Sequence, residues 1–303
     1  MPTFREVMSE IKKIDTDDDW DGIGSAAQIV RHFNGIEVSI NHEKGVPSDS
    51  HTLILDKDTV GDGWVIDHHP TNKSRNILIL CKEGNKPTAT LVYEALPKKD
   101  KTDLFIAATA EITDSLHNIC LEKIKKENKD LFKASNYKNQ YMREEEIFSI
   151  ASVLAFLSKR YPYKTLEISK NLNPNKIDSV DSLINLLNNQ EKSDVKRFLS
   201  YMENFNPRFD LISIGNYEVK VADEKWFEFP MSSLERMLTE NPGNYVFLKG
   251  DRVSIRSNDI NFINEVLRRF QPITESYGGR VNQFGIKLKK TLNYDSFLKI
   301  LNK

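Results

Sequence analysis

Short apolar runs alternating with helical patterns, acids that end two of those runs, and a late shift to hairpin patterning predict an α/β protein. The N-terminal domain is expected to be a mostly parallel sheet flanked by helices, and a smaller C-terminal domain to be α+β. The polar stretch Ile11–Ile14 reads as a first strand, and GSAAQIVRHF (Gly24–Phe33) as a helix closed by Gly35. Ile36–Ile40, HTLILD (His51–Asp56) and WVID (Trp64–Asp67) read as further strands, the last two ending on an acid. TATLVYEAL from Thr88 is a helix stopped by Pro97, and DLFIAATAEITD (Asp103–Asp114) is a buried one. Ligand groups in such sheets gather where strands run out at their carboxyl ends, which is where Asp56 and Asp67 fall.

From about Leu116 to Arg160 the chain is rich in lysine and glutamate and reads as solvated amphipathic helices. Asn171–Asn189 is asparagine-rich, and Glu191–Glu203 has the pattern of a helix joining two domains. After Pro207 two hairpins are predicted, one turning at Gly215-Asn216 and one at Gly250-Asp251. A helix (Ile260–Phe270), a glycine turn (Gly278-Gly279), a strand (Phe284–Leu288) and a closing helix follow. The domains are therefore expected at 1–190 and 207–303, with 191–206 as a linker helix.

The 303 residues suffice for two modest domains, and 39% hydrophobic with 29% charged residues is an ordinary globular composition. A formal net charge of −1 leaves no global basic field, so nucleic-acid binding must use a local patch. Cys81 and Cys120 are far apart and in no metal-ligand spacing, which argues for a reducing compartment rather than a disulfide framework. The first residues carry no apolar signal region and no run reaches membrane-spanning length, so a cytoplasmic protein is expected.

Asp15-Thr16-Asp17-Asp18-Asp19-Trp20-Asp21-Gly22 crowds its carboxylates immediately before a helix. Like charges at that density require cations or solvent. Taken alone the run is a solvated loop capping the helix. A second cluster changes the balance: Asp67-His68-His69-Pro70 follows an apolar strand. An acid with two adjacent histidines at a sheet edge suits manganese, zinc or iron.

Asp19-Trp20-Asp21-Gly22, followed by the small-residue helix Gly24-Ser25-Ala26-Ala27, resembles the first motif of the DHH phosphoesterases. Asp56 after Leu53-Ile54-Leu55 resembles the second, Asp67-His68-His69 the third, and Asp114 the fourth. Lys86–Leu96 is similar to the family's small-hydroxyl segment that opens a helix, and Val253–Ser257 with Tyr277-Gly278-Gly279-Arg280 resembles the associated DHHA1 domain. The likeness is to RecJ-like and oligoribonuclease-like members, archaeal ones among them. It implies two divalent cations, Mn2+ with Mg2+ as the alternative. Asp56 would bridge them, Asp19 would hold the first, and Asp21, His68 and Asp114 the second. His69 would lie near substrate, so that Asp56, His68 and His69 form the catalytic set, and Arg256, Gly278, Gly279 and Arg280 would bind substrate.

Two departures stand out. An acid, Asp17 or Asp15, occupies the place of the histidine that opens the family's first motif, and Arg280 stands where the glycine loop has histidine. Arginine still suits phosphate. The resemblance implies a phosphodiesterase acting on single-stranded DNA or RNA or on short oligonucleotides. The alternative is a catalytically weak RecJ-related subunit that binds a replisome or GINS-type protein partner.

Overall fold

The computed structural model describes residues 2–43, 45–69, 72–114, 116, 119–137, 145–229, 243–280 and 283–302, with the side chains of Val46, Arg280 and Gln283 outside the description. The chain forms two compact units, residues 1–203 and 204–303.

In the first unit, α1 (Phe4–Met8) precedes β1 (Lys13–Thr16), α2 (Trp20–His32) and β2 (Glu37–Ile40). The strands β3 (Val46–Ser48) and β5 (Thr59–Gly61) pair only with each other and flank β4 (Thr52–Leu55) in sequence. Then come β6 (Trp64–Asp67), β7 (Asn76–Leu80), α3 (Thr88–Ala95), α4 (Lys101–Thr113) and α5 (Ile119–Glu127). The main sheet has the order β2-β1-β4-β6-β7 and every pair in it is parallel. Leu53, Ile54, Leu55, Val65 and Ile66 are buried, as strands covered on both faces must be. The chain leaves β1 to one side for β2 and returns to the other side for β4, so the sheet's switch point lies between β1 and β4. Their carboxyl ends open the crevice where this topology places ligands.

The remaining helices are α6 (Glu146–Arg160), α7 (Pro162–Lys170), α8 (Val180–Ile184) and α9 (Asn189–Glu203), all within the first unit. The structure has α5 as an amphipathic helix with its lysines and glutamates exposed, but corrects the reading of residues 146–160 as solvated. Ile147, Phe148, Ile150, Val153, Leu154 and Leu157 of α6 are all buried. The charges that suggested solvent exposure sit at the ends of α6, while its middle, IFSIASVLAFLS, packs against α2 and α4.

The second unit is a six-stranded mixed sheet: β8 (Asp210–Ile214), β9 (Tyr217–Asp223), β10 (Asn244–Lys249), β11 (Arg252–Arg256), β12 (Thr274–Arg280) and β13 (Gln283–Leu288), in the order β12-β13-β11-β10-β9-β8. Its core joins Val246, Leu248, Val253 and Ile255 to α10 (Ile260–Phe270) and α11 (Tyr294–Leu301) through Phe262, Val266, Phe270 and Phe297. Both hairpins turn at the expected residues, with Gly215 (φ 58°) and Gly250 (φ 61°) in the left-handed region. The Gly278-Gly279 pair does not make a turn. Both residues lie within β12, paired with Gly285 and Phe284 of β13. The α/β class and the added mixed-sheet domain agree with the sequence. Among the described residues no helix is long and apolar enough to cross a membrane.

Gly22 in the first turn of α2 shows how tightly this unit holds its acidic loop. A Cβ there would lie 2.7 Å from Thr16 Oγ1 and 2.8 Å from the carbonyl oxygen of Asp17. Overpacking costs about 1–3 kcal/mol, and the better helix propensity of alanine returns only about 1 kcal/mol. Gly22→Ala is therefore expected to lower stability by up to about 2 kcal/mol in urea denaturation; a higher midpoint would contradict this packing.

Candidate metal centre

The acids gather at the carboxyl ends of β1, β4 and β6. Asp17 and Asp19 lie in the β1–α2 loop, and Asp19 caps α2 by accepting the Gly22 N–H at 2.9 Å. The capping role read from the sequence and a place beside the other acids are thus both realised. Asp21, in the first turn of α2, has both carboxylate oxygens at the start of α3, accepting the N–H groups of Thr88 and Ala89 at 2.7 Å each. A helix N-terminus favours negative charge, so α3 holds Asp21 in place. Asp56 follows β4 with φ 60°, and it is the one non-glycine residue with positive φ among those described. An aspartate tolerates this region better than most residues, yet the conformation remains strained and typical of functional positions.

Three groups of ligand atoms, each with its members within 4.8 Å of one another, overlap here: Asp17, Asp19 and Asp56; Asp21, His68 and Asp114; and Asp56, Asp67, His68 and His69. Asp56 belongs to the first and the last. His68 Nε2 lies 3.1 Å from Asp56, 3.5 Å from Asp114 and 3.8 Å from Asp21. Thr88 Oγ1 donates to Asp56 Oδ1 at 3.1 Å. His69 is turned differently: its Nδ1 lies 2.7 Å from Asp67 Oδ1, and Asn72 donates to the other Asp67 oxygen at 2.6 Å. Asp15 does not join these groups. Its carboxylate accepts from Lys57 Nζ at 2.8 Å and from Asn41 at 2.7 Å.

Burial raises the carboxyl pKa values of Asp21 and Asp56 well above the ordinary range, and the neighbouring acids push them further. Burial and Asp17 also raise that of Asp19. Burial opposes the Asp67 carboxylate, but the bonds from His69 and Asn72 outweigh it and hold its pKa low. Burial likewise opposes the charge on His69, yet Asp67 and Asp56 raise its pKa. The donor set, rich in carboxylate with one imidazole facing it, fits Mn2+ or Mg2+.

Besides Lys57, two cationic side chains at this edge escaped the sequence analysis. His42, beyond β2, places Nδ1 2.9 Å from Asp17 Oδ1 and 3.3 Å from Asp18 Oδ1. Lys159, near the end of α6, pairs with Asp18; burial opposes its charge, but Asp19 and Asp18 raise its pKa. They lie 25 and 141 residues from their partners, and only the hydroxyl-bearing start of α3 left a local signal.

The remaining sequence candidates lie in the second unit. Arg256 is buried and its Nη1 donates to the Ile255 carbonyl at 3.1 Å. By strand alternation and register, Arg256, Ser254, Gly285 and Gly278 share the sheet face opposite the α10–α11 core. Gly278 and Gly279 are exposed, whereas the Arg280 side chain lies outside the described residues.

No protein-family model matches the chain, and no curated protein matches its sequence. Solved structures match it along nearly its whole length. The DHH domain of a member of a ribosomal-protein family superposes with a TM-score of 0.63 at 12% identity, covering 98% of this chain and 87% of that one. RecJ from Thermus thermophilus in complex with Mn2+ superposes with a TM-score of 0.57 at 14% identity, covering 100% of this chain and 55% of that one. The pGpG-specific phosphodiesterase PggH from Vibrio cholerae gives 0.52 at 12% identity, covering 95% of each chain. The fold is that of the DHH-domain proteins.

The Asp17 and Asp18 carboxylates raise the His42 pKa to about 9, against the opposing effect of burial. A raised pKa means that the pair stabilises the fold fully below the unfolded value of 6.5 and loses its effect as pH rises through about 9. More than half of the His42 side chain is exposed, so the contribution is at most about 1 kcal/mol. In metal-free protein, His42→Gln should lower stability below pH 6.5 and have no effect above about pH 9. Equal effects at both ends in chelator-treated denaturation curves would refute the pair.

Proposed function

We propose that this chain is a metal-dependent phosphodiesterase of the DHH type, cleaving single-stranded nucleic acid or short oligonucleotides. The observation that carries this reading is the place of Asp56, which groups with Asp17 and Asp19 on one side and lies 3.1 Å from His68 Nε2 of the Asp21–His68–Asp114 group on the other. In this reading Asp17, Asp19 and Asp56 hold a first divalent cation, and Asp21, Asp56, His68 and Asp114 a second. Two such ions, when bound, activate water and neutralise the phosphate oxygens without a protein general base. The fold shared with RecJ and with a pGpG-specific phosphodiesterase supports phosphodiester chemistry. The formal charge of −1 favours short substrates over a long electrostatic track.

The chain's own residues divide the remaining work. The α3 N-terminus and Thr88 orient Asp21 and Asp56. Asp67 fixes His69 through Nδ1 and favours its protonated form, which leaves Nε2 able to donate to a phosphate or leaving-group oxygen. Lys159 and His42 offset the charge of Asp18 and Asp17 beside the first ion. In the second unit Arg256, Arg280, Gly278 and Gly279 are the candidates for substrate phosphates. Gly278 and Gly279 would bind through exposed backbone, while Arg256 would have to leave its buried place to do so.

The test is hydrolysis of single-stranded DNA, RNA and linear dinucleotides with Mn2+. Activity should vanish on chelation and fall to background in Asp56→Ala, since that variant loses a ligand of both ions. Undiminished activity in Asp56→Ala would sink the assignment, and two tightly bound ions without turnover of any substrate would favour a binding subunit.

Replacing Asp17 by histidine tests the acid in the first motif. Asp17→His should move metal preference from Mg2+ toward Mn2+, because imidazole is the softer ligand. Asp15→His should instead lower stability with little change in metal preference, since Asp15 pairs with Lys57. Identical Mg2+ and Mn2+ titrations for Asp17→His and the parent would exclude Asp17 as a ligand.

A further inference from the structure

Lys57 follows Asp56 directly and is among the most enclosed charged residues of the first unit, its side chain only 2% exposed. Its Nζ meets Asp15 Oδ1 at 2.8 Å, Asn41 Oδ1 at 2.9 Å, the Asn41 carbonyl at 3.3 Å and the Thr16 carbonyl at 3.5 Å. Those acceptors belong to the end of β1 and to the residue after β2, while Lys57 itself leaves β4. One ammonium group therefore ties the carboxyl ends of three adjacent strands at the switch point. Thr16 precedes Asp17, so the same bonds fix the start of the loop that carries Asp17 and Asp19.

The backbone of Lys57 is held from another side. Its carbonyl accepts from Asn72 Nδ2 at 3.2 Å, and the same amide nitrogen lies 2.6 Å from Asp67 Oδ2. Asp67 in turn holds His69. The Asp56 N–H donates to the Ile66 carbonyl at 3.1 Å. The strained φ of 60° at Asp56 is thus flanked by fixed points: the Ile66 carbonyl before it, and the Lys57 ammonium and carbonyl after it.

We propose that Lys57 is the positioning residue of the metal centre: its Asp15–Asn41 clamp locks Asp56 in the left-handed conformation and sets the carboxyl ends of β2, β1 and β4 in one register. This rests on the two-cation reading above. Lys57 touches no candidate ligand through its side chain and acts only through the backbone it fixes. Asp15 is then its counter-ion, which accounts for an acid in the first motif that stays apart from the cluster.

Lys57→Met alone leaves Asp15 buried and unpaired, so the deciding protein is the full chain carrying Asp15→Asn with Lys57→Met, in which no buried charge lacks a partner. Circular dichroism melting checks its fold. Calorimetric titration with Mn2+ then reads affinity and stoichiometry, and electron paramagnetic resonance reads coupling between neighbouring Mn2+ ions. The parent should bind two coupled ions, and the folded double variant should bind Mn2+ about 10–100-fold more weakly, the range for lost outer-shell support, with the coupling reduced. Parent-like affinity and coupling in the folded double variant would overturn the role of Lys57 and leave the two-cation reading intact. A parent chain that binds no Mn2+ would overturn both.

Discussion

Mutual repulsion among carboxylates at the carboxyl edge of the parallel sheet governs this structure. Asp21 and Asp56 are buried, and Asp19 and Asp114 face them. Two unit charges about 4 Å apart repel by about 4 kcal/mol at the effective dielectric of a protein surface. Several such pairs together rival the whole folding stability of a domain, about 5–15 kcal/mol. Carboxylates cannot be packed this way unless protons or cations relieve them. The rest of the first unit can be understood as the means of holding them in place.

The relief is divided unevenly. Asp15 has Lys57, and Asp17 and Asp18 have His42 and Lys159, so the outer acids carry fixed counter-charges from distant parts of the chain. Asp21, Asp56 and Asp114 converge instead on His68. Asp21 also has two backbone N–H groups of α3, but dipoles orient a carboxylate more than they neutralise a cluster. Compensation outside and a deficit inside is a distribution that a divalent cation would complete, with Asp56 grouped with Asp17 and Asp19 and 3.1 Å from His68.

Which parts of this were legible follows from how far each signal extends along the chain. Asp56 and Asp67-His68-His69 end or follow short apolar runs, so strand patterning carried them to one sheet edge. Asp19 and Asp21 instead follow the polar stretch Ile11–Ile14 and were placed by the resemblance of Asp19-Trp20-Asp21-Gly22 to the first motif. Asp15 and Asp17 could not be separated, because both are acids beside the same strand. Only the partner distinguishes them, and Lys57 lies 42 residues away from Asp15. The burial of α6 was masked by end charges such as Lys159, whose partner Asp18 lies 141 residues back. In β12, Gly278-Gly279 has the composition of a turn, and its strand conformation comes with the long-range pairing to β13, which local composition does not carry.

The same logic explains why strain and burial coincide at Asp56. A left-handed aspartate costs of order 1–3 kcal/mol and persists only when its surroundings over-determine it. Here the Ile66 carbonyl, the buried Lys57 clamp and Asn72 supply that over-determination from three directions. None of these bonds neutralises the Asp56 carboxylate; they fix the backbone and leave the charge unrelieved. The backbone bonds aim a buried acid, while Lys57, His42 and Lys159 pair with Asp15, Asp17 and Asp18 and only the imidazoles of His68 and His69 face Asp56. A cation bound there would stabilise the native chain by mass action, so the constraint that burdens the free fold also couples folding to occupancy of the site.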